Sequence, residues 1–139
     1  MVKRRILLAD DDAEDRVIFH EYLGDRADIT LLPFAENGVE VFNFLETAEG
    51  DNLPDIIILD QNMPKMNGRQ TLEQLKTSGK YAGISVFVYS TYIDKTLVEY
   101  CKNLGAASVV TKPITRNEYH ALMDNCIKFL KPATEVVSA

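Results

Sequence analysis

Asp55-Ile56-Ile57-Ile58-Leu59-Asp60-Gln61-Asn62-Met63-Pro64-Lys65-Met66-Asn67-Gly68 stands near the middle of the 139-residue chain. Ile56 to Leu59 is an uninterrupted aliphatic run of strand length, the pattern expected where both faces of a sheet are covered. Pro64 and Gly68 then shape a turn, with Gly68 expected in a backbone conformation that other residues resist. Asn67-Gly68 reads as a helix start. The unit is therefore strand, turn, helix, with an acid, Asp60, at the carboxyl end of the strand.

The same alternation recurs on both sides. Apolar runs at Ile6 to Ala9, Ile29 to Ala35, Ile56 to Leu59, Ile84 to Tyr89 and Ala107 to Thr111 read as five strands. Pro33 interrupts the second, which suits an edge position. Between them lie helical spacings: Ile18, Phe19, Tyr22 and Leu23; Val41, Phe42 and Leu45; Leu72 and Leu75; Leu97, Cys101 and Leu104; and last Leu122, Met123, Cys126, Phe129 and Leu130. Asn37-Gly38 precedes the second helix, Gly24 and Gly105 follow the first and fourth, and Pro132 is expected to close the fifth. One domain over residues 1–131 follows, with 132–139 as a short flexible tail. Such an α/β alternation implies parallel strands, right-handed crossovers and helices on both sheet faces. Ligands in such sheets bind beyond the carboxyl ends of the strands.

Composition narrows the function. Fifteen basic against twenty-one acidic residues give a net charge of -6, which argues against a surface for nucleic-acid phosphates. No apolar stretch approaches the roughly 18 residues of a membrane span. The apolar run after Met1-Val2-Lys3-Arg4-Arg5 stops at Asp10, too short for a secretory signal, so a cytoplasmic location is expected. Cys101 and Cys126 fall in helical patterns and read as core thiols rather than a disulfide or zinc pair. His20 and His120 read as solvated helix residues.

Chemistry converges on one edge. The first strand ends in Asp10-Asp11-Asp12, the third in Asp60, the fourth in Ser90-Thr91 and the fifth in Lys112-Pro113. Each alone is ordinary, since acids and serines commonly cap helices or form turns. Together, carboxylates about 4 Å apart would repel by roughly 4 kcal/mol at an effective dielectric near 20. A hard divalent cation such as Mg2+ offsets this and leaves coordination positions for water and a phosphate oxygen. Lys112 supplies a point charge for phosphate and Ser90 a hydroxyl. Such a set suits phosphoryl transfer, with Asp60 as nucleophile.

Ile6-Leu7-Leu8-Ala9-Asp10-Asp11, the Asp55-to-Gly68 run, Val88-Tyr89-Ser90 and Lys112-Pro113 resemble the four signatures of the response-regulator receiver family, over about Arg5 to Leu130. The resemblance implies a flavodoxin-like (βα)5 fold, a doubly wound parallel five-stranded sheet in the order 2-1-3-4-5. It implies that Asp60 is the phosphoacceptor and that Asp10, Asp11, Asp60 and the backbone carbonyl of Asn62 hold Mg2+. Ser90 would contact the phosphoryl group, Lys112 would pair with Asp60 or its phosphate, and Pro113 would shape the loop through a cis Lys112-Pro113 bond. Asp12 is assigned to capping the first helix. A histidine kinase or histidine phosphotransfer protein would be the donor. The family's partner or homodimer surface lies on the fourth helix, fifth strand and fifth helix. With no further domain expected, output would pass through protein contact or onward phosphotransfer, with slow autodephosphorylation instead of enzymatic turnover.

The chain departs from the pattern at Val109, where many receivers carry a switching aromatic, and a core valine is the plain reading. Tyr92, two residues after Ser90, is a candidate for slowing the water that attacks the acyl phosphate. Two alternatives remain open. A haloacid-dehalogenase-like phosphatase would use Asp10-x-Asp12, but leaves Asp60 and Met63-Pro64-x-x-x-Gly68 unexplained. A phosphorylation-independent adaptor would leave the acidic, hydroxyl and lysine set unused.

Overall fold

A computed structural model describes residues 3–48 and 52–138, with side chains to residue 130. The elements alternate: β1 (Arg4–Ala9), α1 (Ala13–Leu23), β2 (Ile29–Leu31), α2 (Gly38–Thr47), β3 (Ile56–Asp60), α3 (Gly68–Thr77), β4 (Ser85–Ser90), α4 (Lys95–Asn103), β5 (Ser108–Thr111) and α5 (Arg116–Ser138). The five strands form one parallel sheet in the order β2-β1-β3-β4-β5. The expected doubly wound architecture is therefore present, with β2 at an edge as Pro33 requires.

Two-residue alternation sorts the core. Leu7, Ala9, Ile57, Leu59, Val86 and Val88 pack on one side, against Val41, Leu45, Leu72, Leu75 and Cys101 of α2, α3 and α4. Ile6, Leu8, Ile56, Ile58, Phe87 and Tyr89 face the other side, against Phe19, Leu23, Met123 and Cys126 of α1 and α5. Ile57 and Ile58, adjacent in sequence, are thus buried on opposite faces, each burial being worth about 1.5–3 kcal/mol. Cys101 and Cys126 are buried free thiols on opposite sides of the sheet, which excludes a disulfide between them.

Helix starts follow the polar punctuation. Asp12, Asn37, Asn67 and Asp94 each cap a helix with a side-chain oxygen, and Asn67 forms a reciprocal capping box with Gln70. Asp12 thereby takes its expected role.

Four expectations need correction. β2 ends at Leu31, and beyond Pro33 the chain keeps a single parallel bridge, Ala9 to Ala35, because proline has no N–H for the ladder. Gly68 is not in the left-handed region, which is occupied by Lys65 at φ 65° and Gly105 at φ 102°. Gly68 is required for closeness instead: a Cβ there would lie 2.7 Å from the backbone oxygen of Asp60. Pro132 does not close the fifth helix, whose backbone continues to Ser138. A proline's φ is itself helical, and its missing N–H removes one bond. Ala139, the last residue of the expected tail, lies outside the described residues, as do Met1 and Val2. Finally, His120 is half-buried rather than solvated, its ring nitrogen 3.3 Å from the Arg26 guanidinium, while His20 is exposed.

Candidate functional site

The parity that sorts the core continues past the strand ends. Asp10 extends the Ile6–Leu8 series, Asp60 closes the Ile56–Ile58 series, Tyr89 follows Phe87, and Lys112 follows Val110. The register aligns Ala9 with Leu59 and Asp60 with Tyr89, so these four residues meet on the α1/α5 side of the carboxyl edge. Asp10 is fully buried and Asp60 is 4% exposed. Asp11 is exposed, yet one carboxylate oxygen from each of Asp10, Asp11 and Asp60 lies within 4.8 Å of the others. Asp11 and Asp60 border a cleft of about 550 Å³ whose wall also includes Asp15, Asn62, Thr91 and Lys112.

Hydrogen bonds immobilise the inner acids. Asp10 Oδ1 accepts from the Asp12 N–H at 2.9 Å, and its Oδ2 accepts from the Tyr89 hydroxyl at 2.6 Å. Asp60 Oδ1 accepts from the Asn62 N–H at 3.2 Å. The Lys112 ammonium is shared, 2.6 Å from Asp15 Oδ2, 3.0 Å from Asp10 Oδ2 and 3.3 Å from Asp60 Oδ2. It also stands 5.1 Å from the centroid of the Tyr89 ring.

Electrostatics follow from this crowding. Burial, followed by the charge of Asp10, pushes the Asp60 carboxyl up to about 6, against the opposing pull of Lys112 and the Asn62 N–H. Burial works against the Lys112 charge, but hydrogen bonds to Asp15 and Asp10 outweigh it and hold the ammonium above its ordinary value. Burial and the neighbouring Asp10 carboxylate together hold the Tyr89 phenol well above its usual range. With all groups ionised, Asp10, Asp11, Asp15 and Asp60 face one ammonium, an excess of three negative charges. A cluster of carboxylate oxygens in such a deficit fits a hard divalent cation.

Of the expected site residues, Asp10, Asp11, Asp60, Asn62 and Lys112 are brought together. Ser90, buried at the end of β4, accepts a hydrogen bond from the Tyr92 N–H at 3.4 Å and does not bond the acids. Tyr92 is 76% exposed and is not part of the cleft wall. Val109 packs on the α2–α4 side. The Lys112-Pro113 bond is trans, since no peptide among the described residues is cis. The expectation of a cis bond is corrected to the form that X-Pro bonds favour by about 0.5–1 kcal/mol.

Sequence reasoning missed Asp15 and Tyr89. Tyr89 carried only the general signal that a buried phenol needs a partner for its hydroxyl; which partner it finds depends on the register that sets Tyr89 beside Asp60. Asp15 carried none, since its contact depends on where α1 lies relative to β5.

The response regulator receiver domain model matches residues 6–124. A protein-glutamate methylesterase/protein-glutamine glutaminase of Clostridium acetobutylicum is 30% identical over 135 residues, covering 96% of this chain. The chain spans 37% of that relative's length. The Mn(2+)-bound form of response regulator Rcp1 superposes with a TM-score of 0.72 at 26% identity, over 85% of this chain and 88% of that one. The signal receiver domain of a Luxo repressor protein from Vibrio parahaemolyticus shares the fold, with a TM-score of 0.80 at 23% identity over 99% of each chain.

Proposed function

Since this chain belongs to the response regulator receiver domain family, we propose that it accepts a phosphoryl group on Asp60 from a histidine kinase or histidine phosphotransfer protein, in a Mg2+-dependent reaction. The observation that carries this reading is the meeting of Asp10, Asp11 and Asp60 within 4.8 Å beside the Lys112 ammonium.

A carboxylate oxygen of Asp60 attacks the phosphorus of a phosphohistidine; the new P–O bond forms as the P–N bond breaks, and the imidazole departs with its electron pair. The Asn62 N–H holds Asp60 Oδ1, which orients the carboxylate for this step. Asp10, Asp11, Asp60 and the Asn62 carbonyl are the ligands assigned to Mg2+, which when bound neutralises charge on the incoming phosphoryl oxygens. Lys112 exchanges part of its contact with Asp15 and Asp10 for a phosphoryl oxygen, and the Ser90 hydroxyl donates to another. Neither group takes part in bond making; both stabilise charge on the equatorial oxygens.

The signal then leaves by protein contact or onward phosphotransfer, through the face of α4, β5 and α5, from a phosphoacceptor domain taken as residues 1–131. The net charge of -6 opposes direct nucleic-acid binding. No described helix is long and apolar enough to cross a membrane, and a cytoplasmic setting fits the family. Asp12, which the phosphatase alternative needs beside Asp10, is engaged by the N–H groups of Glu14 and Asp15.

Incubation with acetyl phosphate and Mg2+, read by intact mass, is expected to add about 80 Da, the mass of one phosphoryl group, and Asp60→Asn to abolish the adduct. An adduct that survives Asp60→Asn overturns the assignment. Hydrolysis of a phosphate ester lost in Asp10→Asn but retained in Asp60→Asn would favour the phosphatase reading.

A further inference from the structure

We infer that Tyr89 is a positioning residue of the acidic site, its hydroxyl locking the Asp10 carboxylate in the orientation in which it serves the divalent cation. The inference rests on the phosphoacceptor reading above and extends it to a residue that neither the motifs nor the family match assigns.

Tyr89 is fully buried and is among the largest side chains with no exposure. It lies in the apolar layer with Phe87, Ile58 and Phe19, where a phenylalanine would pack without any polar demand. Its hydroxyl donates to Asp10 Oδ2 at 2.6 Å, across 79 residues of sequence. Asp10 is then held at both oxygens, with Oδ1 on the Asp12 N–H and Oδ2 shared between Tyr89 and Lys112. A carboxylate oxygen has two lone pairs, so both of those on Oδ2 are occupied and Oδ1 retains one. Asp11 is exposed by contrast, so Asp10 is the pre-set acid of the pair. Donors to a ligating carboxylate fix its orientation, and their removal typically weakens metal binding 10–100-fold. The Tyr89 ring meanwhile flanks the Lys112 ammonium at 5.1 Å, so one side chain bears on both the carboxylate and the ammonium of the site.

Tyr89→Phe removes the hydroxyl alone and keeps the ring. The test is titration calorimetry of Mg2+ on the wild type, Tyr89→Phe, Asp10→Asn and the double variant. Tyr89→Phe is expected to weaken Mg2+ binding about tenfold where Asp10 is present, and less than twofold in the Asp10→Asn background. A purely structural tyrosine would cost the same in both backgrounds, and that result, or unchanged affinity in Tyr89→Phe, overturns the inference. Wild-type protein that binds no Mg2+ overturns the phosphoacceptor reading together with this one, whereas binding without coupling removes this one alone. Should Tyr89→Phe fail to fold, the same cycle is run with Tyr89→Met, which keeps an apolar side chain and no donor.

Discussion

Asp60 is held among like charges, and its carboxyl titrates near 6 instead of its ordinary 3.8, chiefly through burial. The folded protein therefore favours the protonated acid. Stability tied to this group is full below about pH 4, where the unfolded chain is also protonated, and is lost as pH rises through about 6. Asp60→Asn mimics the neutral form. Without metal, this variant is expected to be more stable than the wild type at pH 8 by about 1–3 kcal/mol, the difference vanishing near pH 4. Urea unfolding in the presence of a chelator measures it, and a gain independent of pH contradicts the account. At this scale the motif residues Asp10, Asp11, Asp60 and Lys112 were legible from the chain, because each stands at a strand end. Tyr89 and Asp15 were not, because their roles lie in contacts across 79 and 97 residues.

At the level of elements, Gly68 at the start of α3 lies against the Asp60 backbone at the end of β3. A Cβ at Gly68 would meet the Asp60 carbonyl oxygen at 2.7 Å, whereas one at Gly79 would have nothing within 4 Å. Gly68→Ala is expected to cost about 1–3 kcal/mol as the turn carrying Asn62 shifts, while Gly79→Ala stays within about 0.5 kcal/mol. Thermal unfolding of the pair distinguishes a crowding effect from a general glycine effect. Helix starts were readable from Asp12, Asn37 and Asn67, whose side chains satisfy local N–H groups. The end of α5 was misread because a proline weighs on local hydrogen bonding without dictating where a helix stops.

For the molecule as a whole, four acids gathered on one ammonium make the metal-free state electrostatically costly, so a cation bound only by the folded form should stabilise it. At about 100 times its dissociation constant, Mg2+ is expected to stabilise the protein by about 2.7 kcal/mol, and Asp11→Asn to remove most of that gain. Denaturant midpoints with and without Mg2+ report it; equal midpoints in the wild type count against a metal site. The order of elements, the parallel sheet and the clustering of polar groups at its carboxyl edge were all implicit in hydrophobic spacing, since apolar periodicity and turn residues act over a few positions. Which acid Lys112 holds most tightly, why Gly68 lacks a side chain and what Tyr89 donates to depend on sheet register and on how α1 and α3 dock. The Tyr89 and Lys112 contacts span 79 and 97 residues, and the Gly68 contact, though close in sequence, is set by how α3 docks on the end of β3; no local pattern of residues encodes these distances.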